Sequence, residues 1–287
     1  MGATGISAII ICLVLSGCSR TKQQPTPQQQ SAQAENQSDK VPEQLKAIEI
    51  NIEKIFEAFE EPSAATQNNT SDQNGKTANK GNDQAAEGGK GSQQAQPSPS
   101  PSPQSNQPSQ ESRWNEVLST VHSLHYQWNE YSPSAAGKGA SRTLIDSFSN
   151  ALNNLTNSVV SKNEMETLAA SNSLYAYIPD FYQTYKTKVS PEIKRIRYYT
   201  RDAILSGTVS NWAQAESDIG NLKASWSVYK NTVPDSQRDN ADKLEYSIYE
   251  LEKVLKGKSQ PLTDIKGRVV MANIGTIESA VEKQAGQ

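Results

Sequence analysis

Two cysteines and two histidines are all that 287 residues hold of the side chains that most often carry redox or transition-metal chemistry. Both cysteines, Cys12 and Cys18, lie near the start, so everything after residue 18 has to fold without a disulfide. Apolar residues make up 34% of the chain, little for a single globular body of this length. No stretch reaches the roughly 20 apolar residues that a membrane-spanning helix needs. The net charge of −3 provides no field for nucleic acid or another polyanion. Gly-x-Ser-x-Gly, His-Glu-x-x-His and a phosphate-cradling glycine loop are all missing, and no carboxylate pair sits within a recognisable motif. Strand signals are missing too, with no sustained alternation of period two and no Asn-Gly or Asp-Gly hairpin between β-branched runs. These gaps point away from an enzyme and toward an all-α fold.

What is present begins with a short apolar run, Ile-Ser-Ala-Ile-Ile-Ile-Cys-Leu-Val-Leu over residues 6–15, followed by Ser16-Gly17-Cys18. No Lys or Arg precedes it, so the amine of Met1 is the one positive charge ahead of the run. Its length is that of a signal-peptide core. Leu15-Ser16-Gly17-Cys18 resembles the lipobox of bacterial lipoproteins. The resemblance implies that residues 1–17 are a signal peptide and that Cys18 becomes the mature N-terminus. It also implies a covalent diacylglycerol on Cys18, with palmitate-type acylation, and a lipid-anchored position on the extracytoplasmic face of the cell membrane.

Residues 18–112 are rich in Gln, Ser, Asn and Pro and end in alternating Pro and Ser from Pro97 to Pro103. Such a composition buries too little apolar area to offset chain entropy, and the Pro-Ser run favours an extended spacer, so this segment is expected to act as a tether. One island interrupts it. Over residues 42–60, Leu45, Ile48, Ile52, Ile55 and Phe59 recur at steps of three and four, a helical stripe with the glutamates mostly opposite. A lone helix of this length is marginal in water, so it is expected to dock on the chain's own bundle or on a partner.

Residues 113–287 read as a duplicated helical domain. Trp114, Leu124, Trp128 and Tyr131 match Trp212, Leu222, Trp226 and Tyr229 at one constant offset. After a second-copy loop two residues longer, Leu144, Phe148, Ala151 and Leu155 match Leu244, Ile248, Leu251 and Leu255. Each copy is predicted to hold three helices, over 113–131, 142–161 and 164–178, then 211–231, 236–256 and 260–284. Ser112, Ser141, Asn163, Ser210, Asp235 and Ser259 stand at their starts, and Gly257 at one end. Pro179 is predicted to end or kink the third helix. Ser190-Pro191-Glu192 opens a connecting helix with Ile193, Ile196, Ala203 and Ile204 on its buried side and Gly207 at its end.

His122 and His125 are three residues apart on one helix, a spacing that lets two imidazoles share a metal ion, and they are the candidate metal ligands. Against this, the second copy has Gly220 and Lys223 at the same places, and the pair flanks the apolar stripe as ordinary surface histidines do. Tyr175, Tyr177, Tyr182, Tyr185, Tyr198 and Tyr199 are either core and boundary filling or the lining of a ligand pocket. Lys194, Arg197 and Arg201 share one face of the connecting helix, read as a solvated face or as one drawn to anionic lipid headgroups. The resulting expectation is a lipid-anchored, extracytoplasmic helical binding or scaffold lipoprotein without catalytic activity. Its partners are the membrane and possible envelope proteins, not nucleic acid, and its only covalent group is the lipid. The all-α duplicated design with a histidine pair is similar, by analogy, to imelysin-type metal-associated proteins. That likeness implies the alternative, a metal-binding helical envelope lipoprotein.

Overall fold

Apolar spacings of three and four residues become buried stripes. In the computed structural model, which describes residues 40–59 and 109–284, the island forms helix α1 (Glu43–Phe59). Leu45, Ile48, Ile52 and Ile55 of α1 are fully buried, each contributing about 1.5–3 kcal/mol by leaving water. Of the two placements open to this helix, it takes the one on its own bundle. It packs on α2 (Gln110–Gly137), α2 packs on α3 (Arg142–Val160), α3 on α4 (Glu164–Tyr175), and α4 closes the ring on α1. A short α5 (Ile178–Tyr182), started by Pro179, continues α4 after a turn, so this proline kinks the third helix as predicted.

The second half repeats the ring. Helix α6 (Glu192–Thr208) packs on α7 (Trp212–Tyr229), α7 on α8 (Arg238–Lys256), α8 on α9 (Gln260–Gln284), and α9 returns to α6. Each ring encloses its own apolar core. All regular elements among the described residues are helical, so the all-α bundle is the fold. The count per unit differs from the sequence reading: each repeat has four helices, not three. The island helix α1 is the first unit's version of the connecting helix α6. Their buried positions run in register, Leu45 with Ile193, Ile48 with Ile196, Ile52 with Thr200 and Ile55 with Ala203.

The remaining helices repeat just as closely. Trp114, Val117, Val121, Leu124, Trp128 and Tyr131 of α2 face inward, as do Ala215, Ile219, Leu222, Trp226 and Tyr229 of α7; Trp212 is half-buried. Thr167, Ser171, Leu174, Ile178 and Phe181 occupy the places of Thr263, Gly267, Val270, Ile274 and Ile277 in α9. Even the turns agree: Lys162 before α4 and Lys258 before α9 both adopt the left-handed backbone conformation, at φ 52° and 54°. Contacts of α4 and α5 with α6 join the two rings.

Ser141 and Asn163 cap α3 and α4 with their side chains, as their sequence positions predict. Three starts shift by a few residues, that of α8 moving past Asp235, which opens a short 3₁₀ turn, to Gln237. Ser109 rather than Ser112 caps α2, and Asn211 rather than Ser210 caps α7. Gly207 does not end its helix, which runs one residue further. A Cβ there would meet Thr263 Cγ2 at 2.8 Å, so this glycine admits α9 to the surface of α6. Gly267 does the same from the other side, where a Cβ would lie 2.3 Å from Ile204 Cγ1.

Candidate functional site

The histidine pair lies on α2. His122 is exposed, and the half-buried His125 places Nε2 2.8 Å from Thr156 Oγ1 of α3. Burial first, and the neighbouring His122 second, hold His125 below the usual imidazole range, favouring its neutral form. At the equivalent place in the second unit, Lys223 of α7 pairs with Glu252 of α8 at 2.8 Å. In both units this position ties the second and third helices together. Among the described residues no group of three or more His, Cys, Asp or Glu is arranged to hold a metal ion. Cys18 lies outside the described residues.

The basic face of α6 is neither solvated nor open to lipid. It is buried against α1 and α9, which corrects both readings of Lys194, Arg197 and Arg201. Lys194 Nζ donates to Glu49 Oε1 at 2.6 Å and to Glu278 Oε1 at 3.1 Å. Arg197 donates to Glu278 Oε2 at 2.5 Å, and Arg201 forks onto both oxygens of Glu53. Glu49 also accepts from the hydroxyls of Tyr175, at 2.9 Å, and Tyr182, at 2.5 Å. Lys194 stands 4.3 Å from the centre of the Tyr182 ring, and Arg201 lies 4.0 Å from that of Phe56. These tyrosines are core residues whose hydroxyls serve the cluster and not water. Three carboxylates and three cations therefore cancel where the rings meet.

Electrostatics in the cluster follow from this pairing. Burial alone would disfavour each charge, but Glu278 and Glu49 outweigh it at Lys194 and hold that ammonium above its ordinary range. At Glu278, Lys194 and Arg197 likewise overcome burial and hold the carboxyl below its usual range. Tyr182 is pushed up by burial and by Glu49, so its hydroxyl is a firm donor. The cluster's chemistry is cohesion: every carboxylate has a cation beside it.

A second buried polar cluster has acids and no cation. Asp202 of α6 and Asp218 of α7 lie near enough for the charge of the first to raise the second. Gln214 Nε2 reaches Asp218 Oδ1 at 2.8 Å, and Ser206 Oγ reaches Asp218 Oδ2 at 3.4 Å. Tyr198 Oη lies 3.4 Å from Asp202 Oδ2, and Asn172 Nδ2 of α4 lies 3.5 Å from Asp202 Oδ1. Burial, then the charge of Asp202, pushes Asp218 up to about 6, and burial also raises Asp202.

Sequence reasoning missed both clusters. The spacing of Glu49 and Glu53 one turn apart, beside the stripe of α1, matches the Lys194, Arg197 and Arg201 face of α6. That complementarity was the available signal for the first cluster. Nothing in the sequence around Asp202 or Asp218 marks the second. No family model, curated protein or solved structure matches the chain.

Proposed function

We propose that this chain is a lipid-anchored, extracytoplasmic helical binding or scaffold lipoprotein without catalytic activity, held to the cell membrane through Cys18. The observation that carries the reading is Leu15-Ser16-Gly17-Cys18 at the end of an apolar run too short to span a bilayer. Among the described residues no helix is long and apolar enough to cross a membrane. The paired charges at the ring junction and the filled cores support a rigid platform that presents its outer helix faces to envelope partners.

The test is acylation itself. Two acyl chains give stable anchoring where one is marginal, at about 0.8 kcal/mol per buried CH₂. The full-length chain should incorporate labelled palmitate and sediment with membranes, and Cys18→Ala should lose both label and sedimentation. An alanine variant that keeps its label and stays with the membrane would overturn the assignment.

A further inference from the structure

We propose that the outer face of the α8–α9 hairpin is a lipid-contacting surface that rests on a bilayer carrying anionic headgroups. The two rings supply the first argument by comparison. Tyr246 and Tyr249 of α8 and Leu262, Ile265 and Val269 of α9 are each 45–65% exposed. The first ring, built in the same register, has Asp146, Ser149, Glu166, Ala169 and Ser173 at those places. One ring therefore folds with polar and small residues on this face. The apolar residues of the other are not there for the fold.

Leu262, Ile265 and Val269 lie at steps of three and four along α9, so they share one side of it. Helix α8 runs antiparallel beside α9. Lys266 Nζ lies 3.3 Å from Glu250 Oε2, and Asn273 Nδ2 donates to the Lys243 carbonyl at 3.3 Å. Those two contacts bring Tyr246 and Tyr249 level with Val269 along the helix axes. The two tyrosine rings lie 6.2 Å apart, and Lys253 Nζ stands 5.5 Å from the centre of the Tyr249 ring.

Charge on this face selects the occupant. Glu250 is shared by Lys253 and Lys266, each at 3.3 Å, and Glu252 by Lys223 and Lys256, each at 2.8 Å. Two lysines on each carboxylate leave a positive excess beside the apolar side chains. In the first ring Asn153, Thr156 and Ala170 stand where Lys253, Lys256 and Lys266 stand, so the charge and the apolar surface occur together. A second copy of this face would set lysine against lysine. An anionic headgroup layer instead neutralises the excess. Tyrosine and aliphatic side chains then enter the boundary between headgroups and acyl chains, while lysine stems keep their ammonium groups in water. The proposal rests on the anchored reading in one respect, that acylated Cys18 keeps a bilayer within reach. The face alone is too small to hold the chain through washing, so retention with membranes still depends on Cys18.

Fluorophores at equivalent positions of the two rings test this without the anchor. Full-length chains with Cys12→Ser and Cys18→Ser receive one thiol, either Ile265→Cys or Ala169→Cys, and an environment-sensitive nitrobenzoxadiazole label. Vesicles of phosphatidylglycerol and phosphatidylcholine in equal parts are added up to about 5 mM lipid, far past the roughly 0.1 mM that half-binds a single myristoyl chain. The label at 265 should shift to the blue and lose access to iodide, while the label at 169 keeps its aqueous spectrum. Tyr249→Ser and Val269→Ser, the first ring's own residues at exposed positions, should leave the melting temperature unchanged and raise the lipid required at least about tenfold. The shift should weaken in phosphatidylcholine alone, where no headgroup charge draws the lysines. No response at 265, an equal response at both labels, or an undiminished one in phosphatidylcholine overturns the proposal. A blue shift without vesicles that grows with protein concentration would give the face to a second copy and overturns it as well. Neither chain can be acylated, so these outcomes are separate from the fate of Cys18, which palmitate labelling decides.

Discussion

The two rings are built to one plan and closed in two ways. In the second, α6 leads into α7 through residues 209–211 alone, whereas in the first residues 60–109 separate α1 from α2. The closing helices share a buried stripe but differ in charge: Glu49 and Glu53 of α1 stand where Arg197 and Arg201 stand in α6. Tyr182 likewise holds the place of Glu278. The difference teaches how two rings of one plan become a matched pair. The copies keep the same apolar register, which fixes the fold. They carry opposite sign at equivalent positions, so each ring supplies charges that the other ring's buried face requires.

Removing α1 is the harshest test of that pairing. A chain lacking residues 43–59 exposes the groove that receives Leu45, Ile48, Ile52 and Ile55, and leaves Arg201 without Glu53. Its first ring should melt far below the second. A biphasic unfolding curve by circular dichroism replaces a single transition in the parent, and one unchanged transition would show that α1 contributes no stability.

A milder test acts on the second ring's side of the cluster. Glu278→Gln takes an anion from Lys194 and Arg197, and breaking a buried pair by removing one partner costs about 3–5 kcal/mol. The pH dependence has a definite sign. Because the folded-state carboxyl of Glu278 lies below its unfolded value of about 4.3, its stabilisation is present above that pH and is lost as pH falls through the folded value. Denaturant titrations across acidic pH should show the parent losing stability there and Glu278→Gln losing less.

The smallest effect concerns the matched tryptophans. Trp128 Nε1 donates to Ser149 Oγ at 2.9 Å, while Trp226 Nε1 is buried without a partner. Ser149→Ala should therefore cost about 1 kcal/mol, the net worth of one hydrogen bond plus part of an unpaired donor. Tyr249, at the equivalent place in the second unit, is exposed and makes no such bond to Trp226, so Tyr249→Ala should leave stability within about 0.5 kcal/mol of the parent. Equal losses from the two variants would erase the asymmetry.

Local features were legible because their causes are local. The stripes of α1, α2, α3, α7 and α8 follow from spacings of three and four residues, and the caps at Ser141 and Asn163 from single side chains three residues before the amides they bind. The match of α1 to α6 was hidden because a stripe of isoleucines states that a helix is amphipathic and not which groove it fills. Gly207 was misread because a glycine that ends a helix and one that admits a neighbouring helix are the same letter; only Thr263 against it decides. Lys194, Arg197 and Arg201 were legible as one face, but their burial depends on Glu49, Glu53 and Glu278, from two other helices. His122 and His125 share a face as their spacing predicts, and the bond from His125 to Thr156 was beyond any reading of one helix. The acid pair joins Asp202 and Asp218 across a helix junction and has no sequence signature at all.

The long excursion between α1 and α2 also sets an order in time. Asn51 of α1 meets Gln127 of α2 across 76 residues, and closing about fifty residues rather than three costs about 2.5 kcal/mol more in chain entropy. That cost precedes any packing and slows the contact that needs it. The second ring can therefore condense from neighbours in sequence while the first is still open on one side. Of the described helices, the one synthesised first is the last to find its place, and until it does, the cationic face of α6 lacks two of its three carboxylates.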